Sequence, residues 1–442
     1  MATTNEAPRS TTARSGLPVP LWVLALTLAT FATGTDDMII AGILPTLSED
    51  LNVSEATAGQ LVTLYSFTYG IGAPVMAVLV SRLSAHRLLP ALTALFALFN
   101  VLMALAPTYS VLMALRFGTA LAAATLVPTA AATVARHAPP ERKARYLSLI
   151  TAGITLSLVA GVPVGTWISG VFGWRATMVA VALAGALATV GMLRLPRGAE
   201  PQSLTLRQRL APLGQPAVLG ATLAMLVMGS GGMMPYVYLA PLYEHLTGGG
   251  PESLSVVILV FGVSGFAGVL LGGRVADTWG AGRTIATGIT AACAMVVVLA
   301  VLGTTLPSGS VTLAVLVPVV AVWAGGIWAF SPPLQSWLLS RAPGSDTAVL
   351  ALLTSGMYLG FSISGSLGGA VLSTYGPQAL PIASVTLLGA GGAALAAVFA
   401  RTARREGHHA RAAGSRTSDA GAPGNPRVAE DGTVDTADVP AR

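Results

Sequence analysis

Long apolar runs recur along this 442-residue chain from about residue 20 to about residue 400, and no other feature limits its fold so tightly. Each run is about 20 residues long, enough to cross ~30 Å of hydrocarbon at 1.5 Å of rise per helical residue. Only 10% of the residues are charged and the mean hydropathy is +0.72, whereas soluble domains carry about 25% charged residues. Because the depletion covers the whole length, it implies one polytopic helical membrane domain with little chain left for a soluble one. Twelve spans are expected, over 20–44, 57–80, 88–106, 110–135, 146–170, 174–194, 217–243, 253–275, 284–303, 311–338, 346–373 and 378–400. Breakers stand between them: Pro107, Pro139–Pro140, Gly173, Gly248–Pro251, Pro307 and Gly376–Pro377. The first run is too long for a cleavable signal and lacks a small-residue cleavage site, so it reads as a retained span.

The polar, basic stretch 195–216 divides these spans into two groups of six, 20–194 and 217–400. Residues 1–19 are polar. Residues 401–442 are rich in Gly, Pro, Asp and Arg and poor in large apolar side chains, the composition of a disordered tail. If the spans alternate, fifteen basic residues from Arg9 and Arg14 through Arg136, Arg142, Arg194 and Arg207 to Arg341 share one side. The opposite connections hold Glu49, Asp50, Glu55, Glu244 and Glu252, with Arg175 as their single base. The positive-inside rule then predicts cytoplasmic termini and a cytoplasmic linker. Anionic lipid could touch these arginines, and the net charge of +6 needs no nucleic-acid partner.

A repeat supports the division. Ala77-x-x-x-Ser81-Arg82-x-Ser84-x-x-Arg87 follows the second span, and Gly273-x-x-x-Asp277-Thr278-x-Gly280-x-x-Arg283 follows the eighth, 196 residues later. Parallel repeats related by an axis along the membrane normal are one way to build a transporter, with its substrate site near the midplane between the halves. Other classes lack their residues. Cys293 is the single cysteine, so no intrachain disulfide can form, and the five histidines are scattered, which suggests no zinc or haem site. There is no GxxxxGK[ST] phosphate loop and no Ser/His or His/Asp/Glu constellation within the spans. The expectation is a non-enzyme without metal or cofactor.

Two adjacent carboxylates, Asp36 and Asp37, interrupt the first span. A charge at a helix centre costs ~2.5–3.5 kcal/mol on insertion scales, so such residues face protein or a water-filled cavity. They read either as a proton-carrying site beside a cavity, tuned by burial and by a neighbouring cation, or as polar residues capping the helix at the interface. Neighbours on a helix lie about 100° apart, so at most one points squarely into a cavity. Arg116 is the sole charge of the fourth span. It reads either as a buried partner sensing protonation of the first span or as a side chain snorkelling to the interface. Tyr65, Tyr69, Tyr236, Tyr238, Trp328 and Tyr358 could line a cavity for amphipathic molecules or be packing and belt residues. Gly229–Gly232 and Pro332–Pro333 read as hinges or unwound segments.

The loop motif resembles that of the major facilitator superfamily, whose usual form is Gly-x-x-x-Asp-Arg-x-Gly-x-x-Arg. The second copy keeps Gly273, Asp277, Gly280 and Arg283, and the first keeps only Arg82 and Arg87. GVPVGTW at 161–167, preceded by Gly153, resembles the helix-5 signature of the drug/proton antiporters, and LRFGTA at 115–120 resembles their helix-4 motif built on an arginine. GTDDMIIAGILP and GITLSLVAGVPVGTWISGVFGWRATM resemble the chloramphenicol and sugar exporter branch. The resemblance implies an all-α fold of twelve helices in two pseudo-symmetric halves. It further implies a monomeric, proton-coupled exporter of a small amphipathic compound in a bacterial inner membrane, with phenicols as leading substrates. A sugar or metabolite exporter, or an uptake symporter, is the alternative. The resemblance puts the proton on Asp37, with Asp36 and Arg116 beside it. It makes Gly153, Gly161, Pro163 and Gly165 a rocking interface, and Arg82, Arg87, Arg274, Asp277 and Arg283 a conformational latch.

Overall fold

The computed structural model describes residues 19–197, 205–341 and 346–419. The expected cytoplasmic segment before residue 19, with Arg9 and Arg14, lies outside the described residues, as does 420–442. The first half comprises α1 (Leu21–Met38), α2 (Ile40–Asp50), α3 (Glu55–Ala58), α4 (Gln60–Leu79), α5 (Ala85–Ala104), α6 (Tyr109–His137), α7 (Lys143–Leu156), α8 (Val162–Phe172) and α9 (Trp174–Met192). A short helix, α10 (Leu206–Leu210), lies in the linker and opens on a reciprocal cap between Thr205 and Gln208. The second half comprises α11 (Pro216–Val237), α12 (Leu239–Thr247), α13 (Pro251–Trp279), α14 (Ala281–Thr305), α15 (Leu313–Ala329), α16 (Ser331–Leu339), α17 (Asp346–Tyr375) and α18 (Leu380–Asp419).

Eleven of the described helical stretches are long and apolar enough to cross a membrane, and the bent pair α1 and α2 makes a twelfth span. Hydropathy therefore locates the spans to within a few residues, but it misses their breaks. Span 1 bends by 54° at Ile39 and runs on to Asp50. Span 5 contains a π turn, Ser157–Gly161, just before Pro163. Proline lacks the N–H that continues an α ladder, and a π turn accommodates that loss. Span 10 breaks at Phe330, just before Pro332 and Pro333. Gly229–Gly232, expected as an unwound segment, stays helical, and the break in span 7 falls at Tyr238. Ser364 Oγ donates to the Gly229 and Ser230 carbonyls and Ser384 Oγ to that of Gly231, so neighbouring helices bind this segment where it is poorest in side chains.

Of the tail expected from residue 401, the part up to 419 is described. α18 continues to Asp419, because the segment after Ala400 is rich in Ala and Arg, both strong helix formers, and extends an already nucleated helix. The described residues from 399 to 419 belong to a unit of their own.

Within the first half α1 packs on α7 and α9, α5 on α6 and α9, and α4 on α6. Their apolar faces meet in a core built around Trp22, Leu26, Leu89, Leu126, Tyr146 and Met192. In the second half α11 pairs with α17, and α15 with α13 and α14. The halves meet through α4 on α17, α8 and the π turn on α13, and α2 on α12. The α2/α12 contact belongs to the end of the bundle carrying Asp50 and Glu244, here the acidic end. At the other end, the arginine end, α7 packs on α1 and α6, and α16 on α13 and α14, each within its own half.

Two close approaches set how tightly the halves meet. A Cβ on Gly262 of α13 would strike the Leu158 carbonyl in the π turn, and one on Gly365 of α17 would strike Thr63 of α4. Small residues let membrane helices approach to backbone distance. Since the Leu158 carbonyl is backbone and cannot swing aside, Gly262→Val is expected to destabilise the protein by ~1–3 kcal/mol, the usual cost of overpacking. Thermal unfolding in detergent measures this; an unchanged midpoint would mean that the contact does not bear on stability.

Candidate functional site

The last turn of α1 carries Asp36 and Asp37, and both are buried. α6 delivers Arg116 to the same level, with no exposed surface. Its Nη1 lies 2.8 Å from Asp36 Oδ1, its Nη2 donates to the Asp37 carbonyl at 3.2 Å, and its Cζ sits 4.3 Å from the Tyr65 ring centroid. The end of a helix leaves carbonyls without intrahelical partners, and the guanidinium takes one of them just before the bend at Ile39. Arg116 is thus an internal counter-ion rather than a snorkelling side chain.

Asp37 faces the other way, as the 100° spacing requires. Its Oδ2 accepts a 2.8 Å hydrogen bond from the Tyr358 hydroxyl of α17, in the opposite half. The Tyr358 ring stacks on Tyr69 at 3.9 Å between centroids and 15° between planes, and Tyr69 stacks on Tyr65 at 6.4 Å. Three of the aromatics singled out in the sequence therefore form one ladder from Arg116 to Asp37. Asp37 also lines a small cavity between the halves, together with Ser66, Tyr236, Met233 and Phe361. Tyr236 stacks against Phe261, with centroids 4.4 Å apart.

Trp328 lines a second small cavity, which shares Met233 and Phe361 with the first. Tyr238 reaches neither. Its hydroxyl donates to the Gly365 carbonyl at 2.6 Å, and its ring fills the space over Gly59 and Gly368. The break at Tyr238 turns the side chain into the helix seam, so the expectation of a cavity residue is corrected.

Gly153 and Gly161 lie against Thr30 and Thr35 of α1, and Gly165 lies against Ile39 at the bend. With Pro163 just after the π turn, this face of span 5 follows α1 past the carboxylates. The loop-motif residues do not meet. Arg82, Arg87, Arg274, Asp277 and Arg283 are exposed at the arginine end, and Gly273 has no neighbour for an added Cβ. Ion pairs among the described residues include Asp36–Arg116 and Asp50–Arg175.

That second pair was legible only as two topology charges. Arg175 of α9 pairs with Asp50 at the end of α2, donates to the Ala106 carbonyl and lies over Trp174, whose Nε1 also donates to Asp50. Ser66, fully buried with no hydrogen-bond partner among the described residues, was also missed. One turn separates it from Tyr69, and that spacing was the available signal.

A bundle of twelve spans in which a carboxylate faces an internal cavity is the architecture of a membrane transporter. The profile of the Major Facilitator Superfamily matches residues 26–349, and the chain belongs to that family. It is 30% identical over 356 residues to the inner membrane transport protein YdhP of Escherichia coli (strain K12), covering 79% of this chain and 88% of that protein. It is 29% identical to the MFS-type transporter YbcL of Bacillus subtilis (strain 168), over 85% of this chain and 94% of that one. A chloramphenicol resistance protein of Streptomyces lividans is 34% identical over 266 residues, 59% of this chain and 67% of that one. The crystal structure of a bacterial homologue of the human lysosomal transporter Spinster, inward-facing and unoccupied, superimposes with a TM-score of 0.64 at 16% identity, over 85% of this chain and 94% of that one. The all-α major facilitator fold expected from the sequence is therefore the fold of this multi-pass membrane protein.

Proposed function

We propose that this protein is a proton-coupled exporter that moves a small amphipathic compound out of the cytoplasm by alternating access, with phenicol-like molecules as leading substrates. One observation carries the reading: Asp37 lines the cavity between the halves and is held by Tyr358 from the opposite half, while its neighbour Asp36 is neutralised by Arg116. A carboxylate with a cavity on one side and a partner across the interface can exchange a proton and report it to both halves. The likeness to a chloramphenicol resistance protein supports the substrate class.

In this mechanism the halves, 20–194 and 217–400, rock about the cavity, while the linker 195–216 and both termini stay in the cytoplasm of a bacterium whose inner membrane holds the protein as a monomer. With the arginine end cytoplasmic, the packing of α2 on α12 closes the outward face. Protonation of Asp37 from outside removes the charge that Tyr358 stabilises, loosens the halves and releases substrate outward. Deprotonation toward the cytoplasm restores the link. Gly153, Gly161, Pro163 and Gly165 let span 5 slide along α1. Arg82, Arg87, Gly273, Asp277 and Arg283 serve as a latch that forms when the arginine end closes. Each proton entering contributes ~2.3 kcal/mol per 100 mV.

Everted membrane vesicles energised by a pH gradient test the reading. Uphill uptake of chloramphenicol or a related compound is expected, and its absence across a broad chemical panel would refute export. Tyr358→Phe keeps the stacked ring and removes the hydroxyl. A hydrogen bond to a charged group contributes about 1.5–3 kcal/mol, so initial uptake should fall by roughly tenfold or more; a wild-type rate would remove Tyr358 from the mechanism.

A further inference from the structure

Three hydroxyls of α4 depart from a habit that most of the bundle keeps. A serine or threonine buried inside a helix commonly donates to the carbonyl one turn back, as Thr93, Thr125, Thr133 and Ser230 do. The buried hydroxyls of Thr63, Ser66 and Thr68 have no hydrogen-bond partner among the described residues. Thr63 and Ser66 stand one turn apart on one face of α4, whereas Thr68 lies about 200° round the helix from Ser66. The shared face runs along the seam with α17 of the other half. A Cβ on Gly365 of α17 would strike Thr63 Oγ1, and Gln60 Nε2 donates to the Gly365 carbonyl. Because α4 starts at the acidic end, Gln60, Thr63 and Ser66 lead from that end to the depth of Asp37. Past Ser66 the same face continues as Gly70, Ala73 and Ala77, with no polar side chain.

Ser66 has no exposed surface and lines the cavity that Asp37 lines. The two do not bond directly, and the space between them is of the size of about one water molecule. Asp37 Oδ2 accepts from Tyr358, which leaves Oδ1 for that water. Asp36 and Arg116 are paired with each other, and the other hydroxyl on this cavity, that of Tyr236, comes from α11.

We propose that the outer half of the α4 seam is the proton inlet to Asp37, with Ser66 as the last relay before the carboxylate and Thr63 as the one before it. In each passage the Ser66 oxygen takes a proton from the Thr63 side and gives its own hydroxyl proton to the cavity water, which passes one of its protons to Asp37. Rotation of the hydroxyl resets the relay. The net change is one proton moved inward to the carboxylate, with only O–H bonds made and broken and water as the co-reactant. Since α4 offers no hydroxyl on this face past Ser66, departure toward the cytoplasm needs a different path, opened when the halves part at the arginine end. This inference rests on the exporter reading and supplies the route of its proton.

Infrared spectroscopy on the full chain in lipid nanodiscs tests the inlet. After photorelease of protons from a caged acid, the carbonyl stretch of protonated Asp37, assigned by its loss in Asp37→Asn, reports when the proton arrives. Ser66→Val removes the hydroxyl, and Ser66→Thr has the same shape and keeps it. Arrival should slow by ~100-fold in Ser66→Val, the low end of what a positioned proton-transfer group contributes, with the final extent of protonation unchanged and the rate restored in Ser66→Thr. Thr63→Val, which keeps its own shape, should slow arrival as well. Thr68→Val removes an equally unpartnered hydroxyl from the other face and should leave the rate as it is. A wild-type rate in Ser66→Val or Thr63→Val would overturn the inlet, and so would equal slowing in Ser66→Thr or Thr68→Val, the mark of disturbed packing. Proton-driven uptake in everted vesicles keeps the two readings apart. Uphill uptake by a protein whose Asp37 protonates without regard to Ser66 refutes the inlet alone, whereas Ser66-dependent protonation in a protein that moves nothing uphill refutes the exporter alone.

Discussion

Asp37→Asn is expected to abolish concentrative transport while leaving the folded protein intact. The amide matches the carboxylate in volume, and its oxygen still accepts from the Tyr358 hydroxyl, so the packing around the site is preserved. What disappears is the exchangeable proton. A proton crossing 100 mV contributes ~2.3 kcal/mol, which sustains roughly a fiftyfold gradient of cargo; without it the cargo only equilibrates. The measurement is drug accumulation in energised everted vesicles, beside a susceptibility panel in a pump-deficient host with expression matched. Protection equal to wild type against every exported compound would end the proton-carrier role of Asp37. Asp36→Asn is the companion: it leaves the cavity-facing acid in place and alters only the paired one.

Arg116→Ala should be the most destabilising single change in the site. It strands Asp36 in a fully buried position and removes the cation over Tyr65 and the donor to the Asp37 carbonyl. Breaking a buried pair by removing one partner costs about 3–5 kcal/mol, whereas replacing both partners with apolar residues of similar volume is often neutral. The double variant Asp36→Leu/Arg116→Met should therefore recover most of the loss. A double-mutant cycle on thermal unfolding in detergent isolates the pair's coupling. If the double variant unfolds as early as Arg116→Ala, an unpaired charge is not the source of the damage. Transport by the recovered protein then reports whether Arg116 also tunes Asp37.

The spans were legible in the sequence because hydrocarbon imposes one demand, about 20 apolar residues with every backbone group bonded internally. The breaks at Ile39, Tyr238 and Phe330 were less so. The prolines at 332 and 333 mark the last of these, but neither Ile39 nor Tyr238 carries a local signal; the turn that ends at Ile39 is bound by Arg116 from 79 residues away. The same holds for the site. Two acids in an apolar run and a lone arginine announce a buried polar centre. Their pairing is a matter of helix rotation: Asp36 faces α6 and Asp37 faces α17, so the 100° step sends one acid to the arginine and the other to Tyr358. The Tyr238 expectation failed for the opposite reason. Aromatic identity two residues from a true cavity residue, Tyr236, says nothing about direction when the chain breaks between them. The tail of α18 shows that low hydropathy alone does not forbid a helix when the residues themselves favour one.

α2 has a mechanical role that follows from how it is held. It is 11 residues long, so about 16 Å. It is jointed to α1 beside the carboxylates and tied to α9 at its far tip by Asp50 and Arg175, and it rests against α12 of the other half. It is therefore a strut bent at its top and ion-paired at its foot. A shift of backbone at Asp37 would thus be carried along α2 toward α12, transmitting hydration of a carboxyl group across the bundle as displacement. Cutting the foot, with Arg175→Ala, would let the strut swing and scatter that push.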